Sequence, residues 1–314
     1  MIHVLGIDAG GTKTVCQLAD ERGEMLAEAR GGGANLQADG ELAVEKTLHR
    51  VMDDTLGARG VMPSAICLGM AGVDREDDSR VVRGIMSRIG FNARVLVVND
   101  ALIALEAGVG DAPGLVIIAG TGSIVYGRNA RGEAARAGGW GYVLGDEGSG
   151  YWMGRLALRA VVHEADQRGR ATDLTPRVLA HFGVTRPQDL VHQIYGMGLR
   201  PPAIAALAAV VQAASAGGDP VARDIIDKGA HALASAAASV AGRLSLGAGP
   251  FGVVLSGGIF RGVPTMADEV AARVEAAVPG ARARRLEVEP AAGAVRLALA
   301  EAAGGARLPT YITI

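Results

Sequence analysis

The sequence predicts an α/β protein in which one strand–loop–strand unit occurs twice. Residues 3–8 form a short apolar run, which the glycine-rich loop Gly10–Thr14 joins to a second strand-like stretch at residues 14–20. About a hundred residues later, the apolar run 114–119, the loop Gly120–Ser123 and the stretch 124–128 repeat this order. The recurrence favours a duplicated α/β unit, and chance likeness between two glycine-rich hairpins is the alternative.

The other elements follow from apolar spacing and turn residues. The patterns predict strands at 25–29, 65–69, 94–98 and 251–256, and helices from residue 40 onward and at 101–107, 153–168, 203–216, 221–246 and 265–277. Glycines at 31–33 end the third strand, and Pro290 suits the first turn of the last helix. From residue 151 onward, we therefore expect a strongly helical region.

Length and composition restrict the class of protein. With 314 residues, the chain suits two domains or one large α/β domain. Hydrophobic residues make up 49% and charged residues 20%, so apolar burial can offset the entropy of ordering the chain. The net charge of -2 gives no field that would attract nucleic acid or an anionic membrane. We therefore expect neither a nucleic-acid partner nor a membrane partner.

The cysteines and apolar segments bear on the cellular compartment. Cys16 and Cys67 each lie in an apolar stretch and form no CxxC pair, so we expect two reduced, buried thiols. The amino terminus has no basic region before a long apolar one, which argues against a secretory signal. The alanine-rich stretch 201–216 is too short and too weakly apolar to span a bilayer. We expect a soluble cytoplasmic protein.

The first loop has the composition of a phosphate-binding element. It misses a Walker A motif by one residue, because Thr12 stands between Gly11 and Lys13, and a strand follows Thr14 where that motif opens a helix. The adjacent glycines Gly10 and Gly11 let backbone N–H groups approach an anion, and threonine hydroxyls add donors. The alternative is a tight hairpin whose glycines serve only its backbone.

The second loop offers the same chemistry through Gly120, Thr121, Gly122 and Ser123. Neither loop leads into a helix, which excludes the dinucleotide-binding Rossmann fingerprint. Two such loops facing each other would suit the triphosphate of ATP.

Acidic residues follow two of the apolar strands. Asp8, at the end of the first strand, is placed to hold a Mg²⁺ ion that bridges phosphates. Asn99 and Asp100 follow the strand at 94–98, where a carboxylate is a sensible general base for a sugar hydroxyl. The alternative for this pair is a helix N-cap, since a helical stretch follows directly.

Residues 138–149 surround one aromatic side chain and two acids with glycines. Carboxylates at Asp146 and Glu147 can accept hydrogen bonds from several hydroxyls, and Trp140 can cover the apolar face of a sugar ring. The alternative is a structural glycine-rich loop with solvated acids. Gly257 and Gly258 follow a buried strand and would let a nucleotide base or ribose approach the backbone, unless they form a plain strand-to-helix turn.

A set of segments over nearly the whole chain carries a family resemblance. In order they are GIDAGGTKT, GGANLQ, GMAGVD, VVNDALIAL, IAGTGSIVYG, GGWGYVLGDEGSGYWMG, VVLSGGIF and PAAGAVRLAL. They resemble the N-acetylglucosamine kinase branch of the actin/hexokinase/Hsp70 superfamily, within the BadF/BadG/BcrA/BcrD ATPase grouping. The resemblance implies two ribonuclease-H-like (actin-like ATPase) domains around a central cleft. It divides the chain into a first domain at 1–112 plus 291–314 and a second domain at 113–290.

The resemblance also implies a reaction, transfer of the γ-phosphoryl group of ATP to the 6-hydroxyl of N-acetylglucosamine by a homodimer. Asp100 would be the catalytic base and Asp8 would position Mg²⁺. The implied sugar site comprises Asn35, Ala71, Gly72, Asn99, Asp100, Thr121, Trp140, Asp146 and Glu147. The implied ATP site comprises Gly10, Gly11, Thr12, Lys13, Thr14, Gly120, Thr121, Gly122, Ser123, Gly257 and Gly258.

Departures from related families narrow the field. The chain lacks the cysteine-rich zinc motif of ROK sugar kinases, and it lacks the cysteines that an iron–sulfur dehydratase activator requires. Two alternatives stay open at this point: a glucosamine or broader hexose kinase, and an ATPase switch protein without a sugar substrate.

Overall fold

The computed structural model describes residues 2–73 and 76–312, and the chain divides into two compact units. The first unit comprises Met1–Val116, Tyr126–Ala135 and Leu286–Ile314, and the second comprises Ile117–Val125 and Arg136–Arg285. Asp74 of the GMAGVD segment and the chain ends at Met1 and 313–314 lie outside the described residues. The domain boundaries that the resemblance implies stay a prediction.

The first sheet explains why so many polar residues meet at one edge. Its strands are β1 (His3–Ala9), β2 (Thr14–Asp20), β3 (Met25–Gly31), β4 (Ala65–Met70) and β5 (Arg94–Asn99). In the described part of the chain they lie in the order β3-β2-β1-β4-β5. β1, β4 and β5 are parallel, while β2 and β3 form an antiparallel meander. The register pairs Asp8 with Gly69 and Met70 with Asn99, so these strands end at the same edge.

The second sheet contains β6 (Gly114–Ala119), β7 (Ser123–Arg128), β8 (Glu133–Gly138), β9 (Phe251–Ser256), β10 (Ala281–Arg285) and β11 (Thr310–Tyr311). Within the described residues its order is β10-β9-β6-β7-β8-β11. In the second unit β9 pairs in parallel with β10, and in the first unit β11 pairs in parallel with β8.

The helices are α1 (Leu36–Asp39), α2 (Glu41–Leu56), α3 (Glu76–Ile89), α4 (Asp100–Val109), α5 (Gly150–Ala165), α6 (Leu174–Phe182), α7 (Asp189–Val191), α8 (Pro201–Ala205), α9 (Leu207–Ala216), α10 (Pro220–Arg243), α11 (Gly258–Gly262), α12 (Pro264–Ala277) and α13 (Ala291–Ala302). Their starts follow ordinary capping chemistry. The side chain of Asp219 accepts a hydrogen bond from the Ala222 N–H, and Pro220 occupies the first turn of α10.

The core of the first unit lies on the buried strands β1, β2 and β4. These strands are continuous apolar runs, and nearly all of their side chains are buried. α13 packs back on this sheet: a Cβ at Gly6 would lie 2.4 Å from the Val295 N atom. A Cβ at Gly293 would lie 1.9 Å from the Ile103 carbonyl oxygen, so α13 also touches α4. Glycine at both positions is what permits this approach.

Local patterning places most elements correctly and misplaces a few ends. The third strand continues through Gly31, two residues beyond its predicted end, because it pairs with β2 up to Thr14. Apolar patterning gave no prediction for β8, β10, α3 or α6. Cys16 and Cys67 are buried and free, as predicted, and burial raises the pKa of Cys16 to about 12. Among the described residues, each helix is too short or too polar to cross a bilayer.

Candidate active site

In the first unit, the carboxyl ends of parallel strands gather the predicted acids. Asp8 is nearly buried at the end of β1, and Asp100 follows the last residue of β5. Ala71, just after β4, donates its N–H to the Ala9 carbonyl at 3.1 Å. The sheet topology therefore brings Asp8, Ala71 and Asp100 to one edge, where ligands of open α/β sheets bind.

The first hairpin lies at the same edge. The Gly10 N–H donates to the Lys13 carbonyl at 3.0 Å, which closes the loop. Its glycine side lies against the segment before α1, since a Cβ at Gly33 would be 2.5 Å from the Gly11 carbonyl oxygen. Gly11 and Thr12 are exposed. Since the Gly10 N–H is already bonded, Gly11 and Thr12 are the residues of this loop that are open to a ligand.

Thr14 has a different role from the one the motif suggests. It is fully buried, and its hydroxyl donates to the Gly32 carbonyl at 2.8 Å. This bond joins β2 to the glycine-rich segment after β3. We infer that Thr14 holds the hairpin in place.

Lys13 is engaged in an ion pair. Its Nζ atom lies 2.6 Å from Glu289 Oε2, and Arg30 Nη2 lies 3.0 Å from Glu289 Oε1. Desolvation acts to raise the pKa of Glu289, but the hydrogen bond from Lys13 and the charges of both cations outweigh it, so the pKa is lowered. The carboxylate therefore stays ionised and competes with any phosphate for Lys13.

The N-cap interpretation is correct for Asn99. Its side-chain Oδ1 accepts the Leu102 N–H at 2.7 Å, and its Nδ2 donates to the Tyr311 hydroxyl at 2.8 Å. Asp100 is the first residue of α4, so the Asn99 cap fixes the backbone position from which the Asp100 side chain projects. The role of Asp100 as a base stays a prediction.

Asn35 and Gly72 complete the predicted set in the first unit. The Asn35 N–H donates to Asp39 Oδ2 at 3.1 Å, and the neighbouring Ala34 N–H donates to the Gly10 carbonyl at 3.0 Å. Asn35 therefore lies beside the first hairpin. Gly72 is exposed and has a positive φ of 78°, which favours glycine in this turn.

In the second unit, the second hairpin is tied to the start of α5. The Gly120 N–H donates to the Gly122 carbonyl at 2.9 Å, closing the loop as in the first hairpin. Gly150 and Tyr151 donate their N–H groups to the Gly120 and Thr121 carbonyls at 2.8 and 3.2 Å. The loop conformation is therefore set by residues that directly follow the glycine-rich segment 138–149.

Asp146 and Glu147 lie against the same hairpin. Asp146 Oδ1 accepts the Ser123 N–H at 3.2 Å, and the Ser123 hydroxyl donates to the Glu147 carbonyl at 2.8 Å. Burial raises the pKa of the Asp146 carboxyl, while the Ser123 N–H opposes the shift. A Cβ at Gly122 would lie 2.7 Å from Asp146 Oδ2, so the carboxylate covers the loop closely.

Trp140 is exposed, with 65% of its surface accessible. The guanidinium carbon of Arg136 lies 5.0 Å from the centre of its ring. Because the guanidinium lies over one face of an exposed indole, the opposite face is the one that can accept a ligand. Arg136 was not singled out in the sequence, although it stands two residues before the glycine-rich segment.

Gly257 and Gly258 differ in their surroundings. Gly257 has a φ of 111°, and a Cβ there would lie 2.2 Å from the Ala119 carbonyl oxygen. A Cβ at Gly258 would meet no atom within 4 Å. The turn interpretation therefore explains Gly257, whereas Gly258 begins α11 beside open space.

Sequence reasoning missed Glu289, Arg136 and Tyr311. Glu289 precedes Pro290 at the start of the last helix, and Tyr311 lies in a two-residue strand. Neither stands in a local motif. Only the folded chain shows that each contacts a predicted site residue.

Comparison with known proteins gives matches over most of the chain. The BadF/BadG/BcrA/BcrD ATPase family model matches residues 5–298. An N-acetylmuramic acid/N-acetylglucosamine kinase of Clostridium acetobutylicum is 35% identical over 272 residues, which cover 86% of this chain and 89% of that protein. An N-acetyl-D-glucosamine kinase of Dictyostelium discoideum is 38% identical over 205 residues, which cover 61% of this chain and 64% of that protein.

A solved structure is similar to the chain as a whole. A candidate N-acetylglucosamine kinase from Chromobacterium violaceum has a TM-score of 0.79 and 26% identity, covering 95% of this chain and 99% of that chain. This likeness confirms the predicted α/β fold, and the family match over residues 5–298 confirms the resemblance.

Proposed function

Because the chain belongs to the BadF/BadG/BcrA/BcrD ATPase family, we propose that it is an ATP-dependent amino-sugar kinase that phosphorylates the 6-hydroxyl of N-acetylglucosamine. The observation that carries the proposal is its 35% identity, over 86% of its length, to a kinase named for N-acetylmuramic acid and N-acetylglucosamine. The gathering of Asp8, Asp100 and a glycine-rich hairpin at one sheet edge agrees with this chemistry.

Asp100 acts as the general base in this proposal. It accepts the proton of the sugar 6-hydroxyl while that oxygen attacks the γ-phosphorus, and the bond from the γ-phosphorus to the β,γ-bridging oxygen breaks to release ADP. Phosphoryl transfer has a loose transition state, so positioning and neutralisation of charge contribute most of the rate. The capped start of α4 supplies that positioning, since Asn99 fixes the turn from which Asp100 projects.

In this proposal each of the two hairpins contributes donors for phosphate. The backbone N–H groups of Gly11 and Gly122 need no side chain to do so, while the N–H groups of Gly10 and Gly120 close their own loops. The hydroxyls of Thr12 and Thr121 add further donors, and Lys13 adds a positive charge when it leaves Glu289. Ser123 and Thr14 hold the loops in shape through their own hydrogen bonds. Gly257 and Gly258 border the adenosine.

A Mg²⁺ ion fits Asp8. Kinase sites hold Mg²⁺ with one or two carboxylates, together with water and the substrate phosphates. Asp8 is a nearly buried carboxylate at the end of β1, a hard oxygen ligand in the right place. Among the described residues, histidine, cysteine and acidic side chains form no group of three or more that could hold a metal. When bound, the ion neutralises charge on the transferred group.

The sugar-binding residues in this proposal are those that the resemblance implies. Trp140 covers an apolar face of the sugar ring, and the carboxylates of Asp146 and Glu147 accept hydrogen bonds from the sugar hydroxyls. Asn35 and Thr121 add hydrogen bonds, while Asn99 caps α4 and fixes the turn before Asp100. Ala71 and Gly72 lie near the 2-substituent, where small side chains leave space for an acetamido group.

The alternatives predict different responses to sugars. A glucosamine or broader hexose kinase turns over fastest with a sugar that lacks the acetyl group. An ATPase switch protein hydrolyses ATP without stimulation by any sugar, and it does not require Trp140 or Asp146.

A coupled ADP-release assay separates these functions. It compares N-acetylglucosamine, glucosamine, N-acetylmannosamine, N-acetylmuramic acid and glucose, and we expect the highest kcat/KM for N-acetylglucosamine. If no sugar raises ADP release above the background, the kinase proposal is wrong. Asp100→Asn should keep sugar affinity and lose about 10²- to 10⁴-fold in kcat. A rate near that of the wild type would remove Asp100 as the base.

The assembly and location of the protein are further parts of the proposal. We expect a homodimer in the cytoplasm, with no nucleic-acid or membrane partner, in keeping with the family resemblance and the net charge of -2. Light scattering on a sizing column measures the assembly, and a monomer at assay concentration would contradict it.

A further inference from the structure

The loop that carries Trp140 has little stiffness of its own. Gly138, Gly139 and Gly141 surround the tryptophan, and their φ angles are 76°, 70° and 82°. Glycine loses more conformational entropy on ordering than any other residue. An exposed indole on such a loop keeps one orientation only when another group holds it.

Arg136, at the end of β8, contacts this loop in three ways. Its guanidinium lies over the Trp140 ring at 5.0 Å from the centre. Its Nη1 atom donates to the Gly138 carbonyl at 3.1 Å and to the Gly139 carbonyl at 3.4 Å. A planar guanidinium can stack on a ring and donate in its own plane at the same time, which an ammonium cannot do.

The backbone beneath Arg136 is also held. The Arg136 carbonyl accepts a hydrogen bond from Arg243 Nη1 of α10 at 2.8 Å. The Gly139 N–H donates to the Ser123 carbonyl at 3.0 Å, which joins the loop to the second hairpin. A Cβ at Gly139 would lie 2.8 Å from Ile124 Cδ1 and 3.0 Å from Arg136 Nη1, so the chain is in close contact on this side.

We propose that Arg136 is a positioning residue that fixes the Trp140 indole by covering one face, so that the opposite face is presented to the sugar ring. This inference rests on the proposed function, because it assigns the free indole face to the amino sugar. Arg136 itself touches neither the sugar nor ATP. Its loss should therefore weaken sugar binding and leave both ATP binding and the chemical step unchanged.

The kinetic test compares Arg136→Met with Arg136→Lys. Methionine keeps an apolar stem without donors, so the KM for the sugar should rise about 3- to 10-fold, with kcat and the KM for ATP unchanged. Lysine keeps the positive charge but lacks the planar guanidinium, so the KM of Arg136→Lys for the sugar should lie between those of the wild type and Arg136→Met. Arg131→Met, at an exposed arginine of the neighbouring turn that pairs with Glu133, is the matched control and should leave KM unchanged.

A double-variant cycle shows whether Arg136 acts through the indole. In a Trp140→Ala background, Arg136→Met should cause no further rise in the KM for the sugar. A further rise of the full 3- to 10-fold in that background would overturn the proposal, because Arg136 would then act without Trp140.

Fluorescence tests the geometry without any substrate. The chain has two tryptophans, so a Trp152→Phe background leaves Trp140 as the single indole emitter. We expect Arg136→Met to raise the acrylamide quenching constant and lower the anisotropy of Trp140, and Arg131→Met to change neither. Unchanged quenching and anisotropy in Arg136→Met would overturn the proposal. If Arg136→Met does not fold, Arg136→Lys takes its place, with smaller changes in the same directions expected. If no sugar stimulates ADP release, the proposed function fails, and the fluorescence result still decides whether Arg136 holds Trp140.

Discussion

The buried pair of Arg128 and Glu106 gives the most demanding prediction of stability. Arg128, in β7, and Glu106, in α4, are only 6% and 5% exposed and form an ion pair. The Arg128 Nη2 atom also donates to the carbonyls of Gly110 and Ala112, just beyond α4. One arginine therefore holds the carboxyl end of the helix whose first residue is Asp100.

The expected loss in the free energy of unfolding depends on which buried groups each substitution leaves without a partner. Arg128→Met leaves a buried carboxylate and two carbonyls without their donor, and breaking one side of a buried pair costs about 3–5 kcal/mol. Glu106→Gln keeps an acceptor for the guanidinium, so we expect a loss of about 1–3 kcal/mol. The double variant Glu106→Leu/Arg128→Met should recover most of the loss, because a buried ion pair can be replaced by apolar residues at little cost. Arg128 Nε is buried without a partner in the described structure, which further limits the net stabilisation from the native pair.

The pH dependence has a defined sign. Burial raises the pKa of Glu106 above its ordinary value, although Arg128 opposes the shift. A carboxyl group with a raised pKa in the folded state contributes stability that is present below its unfolded pKa and is lost as the pH rises. Removing Arg128 raises that pKa further. The defect of Arg128→Met should therefore be largest at neutral pH and shrink as the pH falls toward about 4.

Urea unfolding at several pH values measures the free energy of unfolding. Hydrogen exchange at the amides of α4 adds a local measurement, because a chain with two units need not unfold in one step. Arg131→Met is the control for losing an exposed arginine and should change stability by less than about 0.5 kcal/mol. A loss below about 1 kcal/mol for Arg128→Met at neutral pH, or a defect that does not vary with pH, would refute this reasoning.

Three further predictions follow from the site. Because burial raises the pKa of Asp146, the acid limb of kcat/KM for the sugar should lie above the ordinary aspartate range. Asp146→Asn should move that limb to lower pH without removing it, because Asp100 must still be ionised to act as the base, and a pH–rate profile measures the shift. Gly257→Ala should lower the free energy of unfolding by about 1–3 kcal/mol or more, since its φ is 111° and its Cβ would meet the Ala119 carbonyl; Gly258→Ala, with open space around its Cβ, should unfold almost as the wild type does, and equal thermal midpoints would contradict this. Glu289→Gln should release Lys13 and lower the KM for ATP about 2- to 5-fold in a low-salt assay, with Glu28→Gln as the control; a raised KM would show that Glu289 orients Lys13 for ATP.

The parts of the fold that depend on local apolar patterns could be predicted from the sequence. The apolar runs of β1 and β4 are buried on both faces, and such runs are readable without a structure. The strand that carries Asp8 and the strand that precedes Asp100 were therefore placed to within one residue at their ends. By contrast, β10 reads Ala-Arg-Ala-Arg-Arg, which has the charge of an exposed edge strand and no apolar run to mark it.

The contacts of the site were less predictable than its residues. Lys13 and Glu289 are 276 residues apart, and nothing in either local segment indicates that α13 returns to the first hairpin. Asn99 had two competing interpretations because a cap and a site residue use the same side chains at the same place. The structure resolves that choice, since its Oδ1 is bonded to the Leu102 N–H. Contacts between remote segments depend on how the whole chain packs, so no local stretch of the sequence reveals them.

The two hairpins use corresponding residues for similar internal hydrogen bonds. In each loop the first glycine closes the turn, with Gly10 bonded to the Lys13 carbonyl and Gly120 to the Gly122 carbonyl. In each loop the last hydroxyl is used internally, by Thr14 on the Gly32 carbonyl and by Ser123 on the Glu147 carbonyl. A hydroxyl that donates its hydrogen bond within its own loop is not available to donate to a phosphate. In the proposed function, the phosphate contacts therefore come from the remaining backbone N–H groups and from Thr12 and Thr121, and the internal hydroxyls hold those donors in place. That arrangement costs no reorganisation when charge moves, which is what electrostatic catalysis requires.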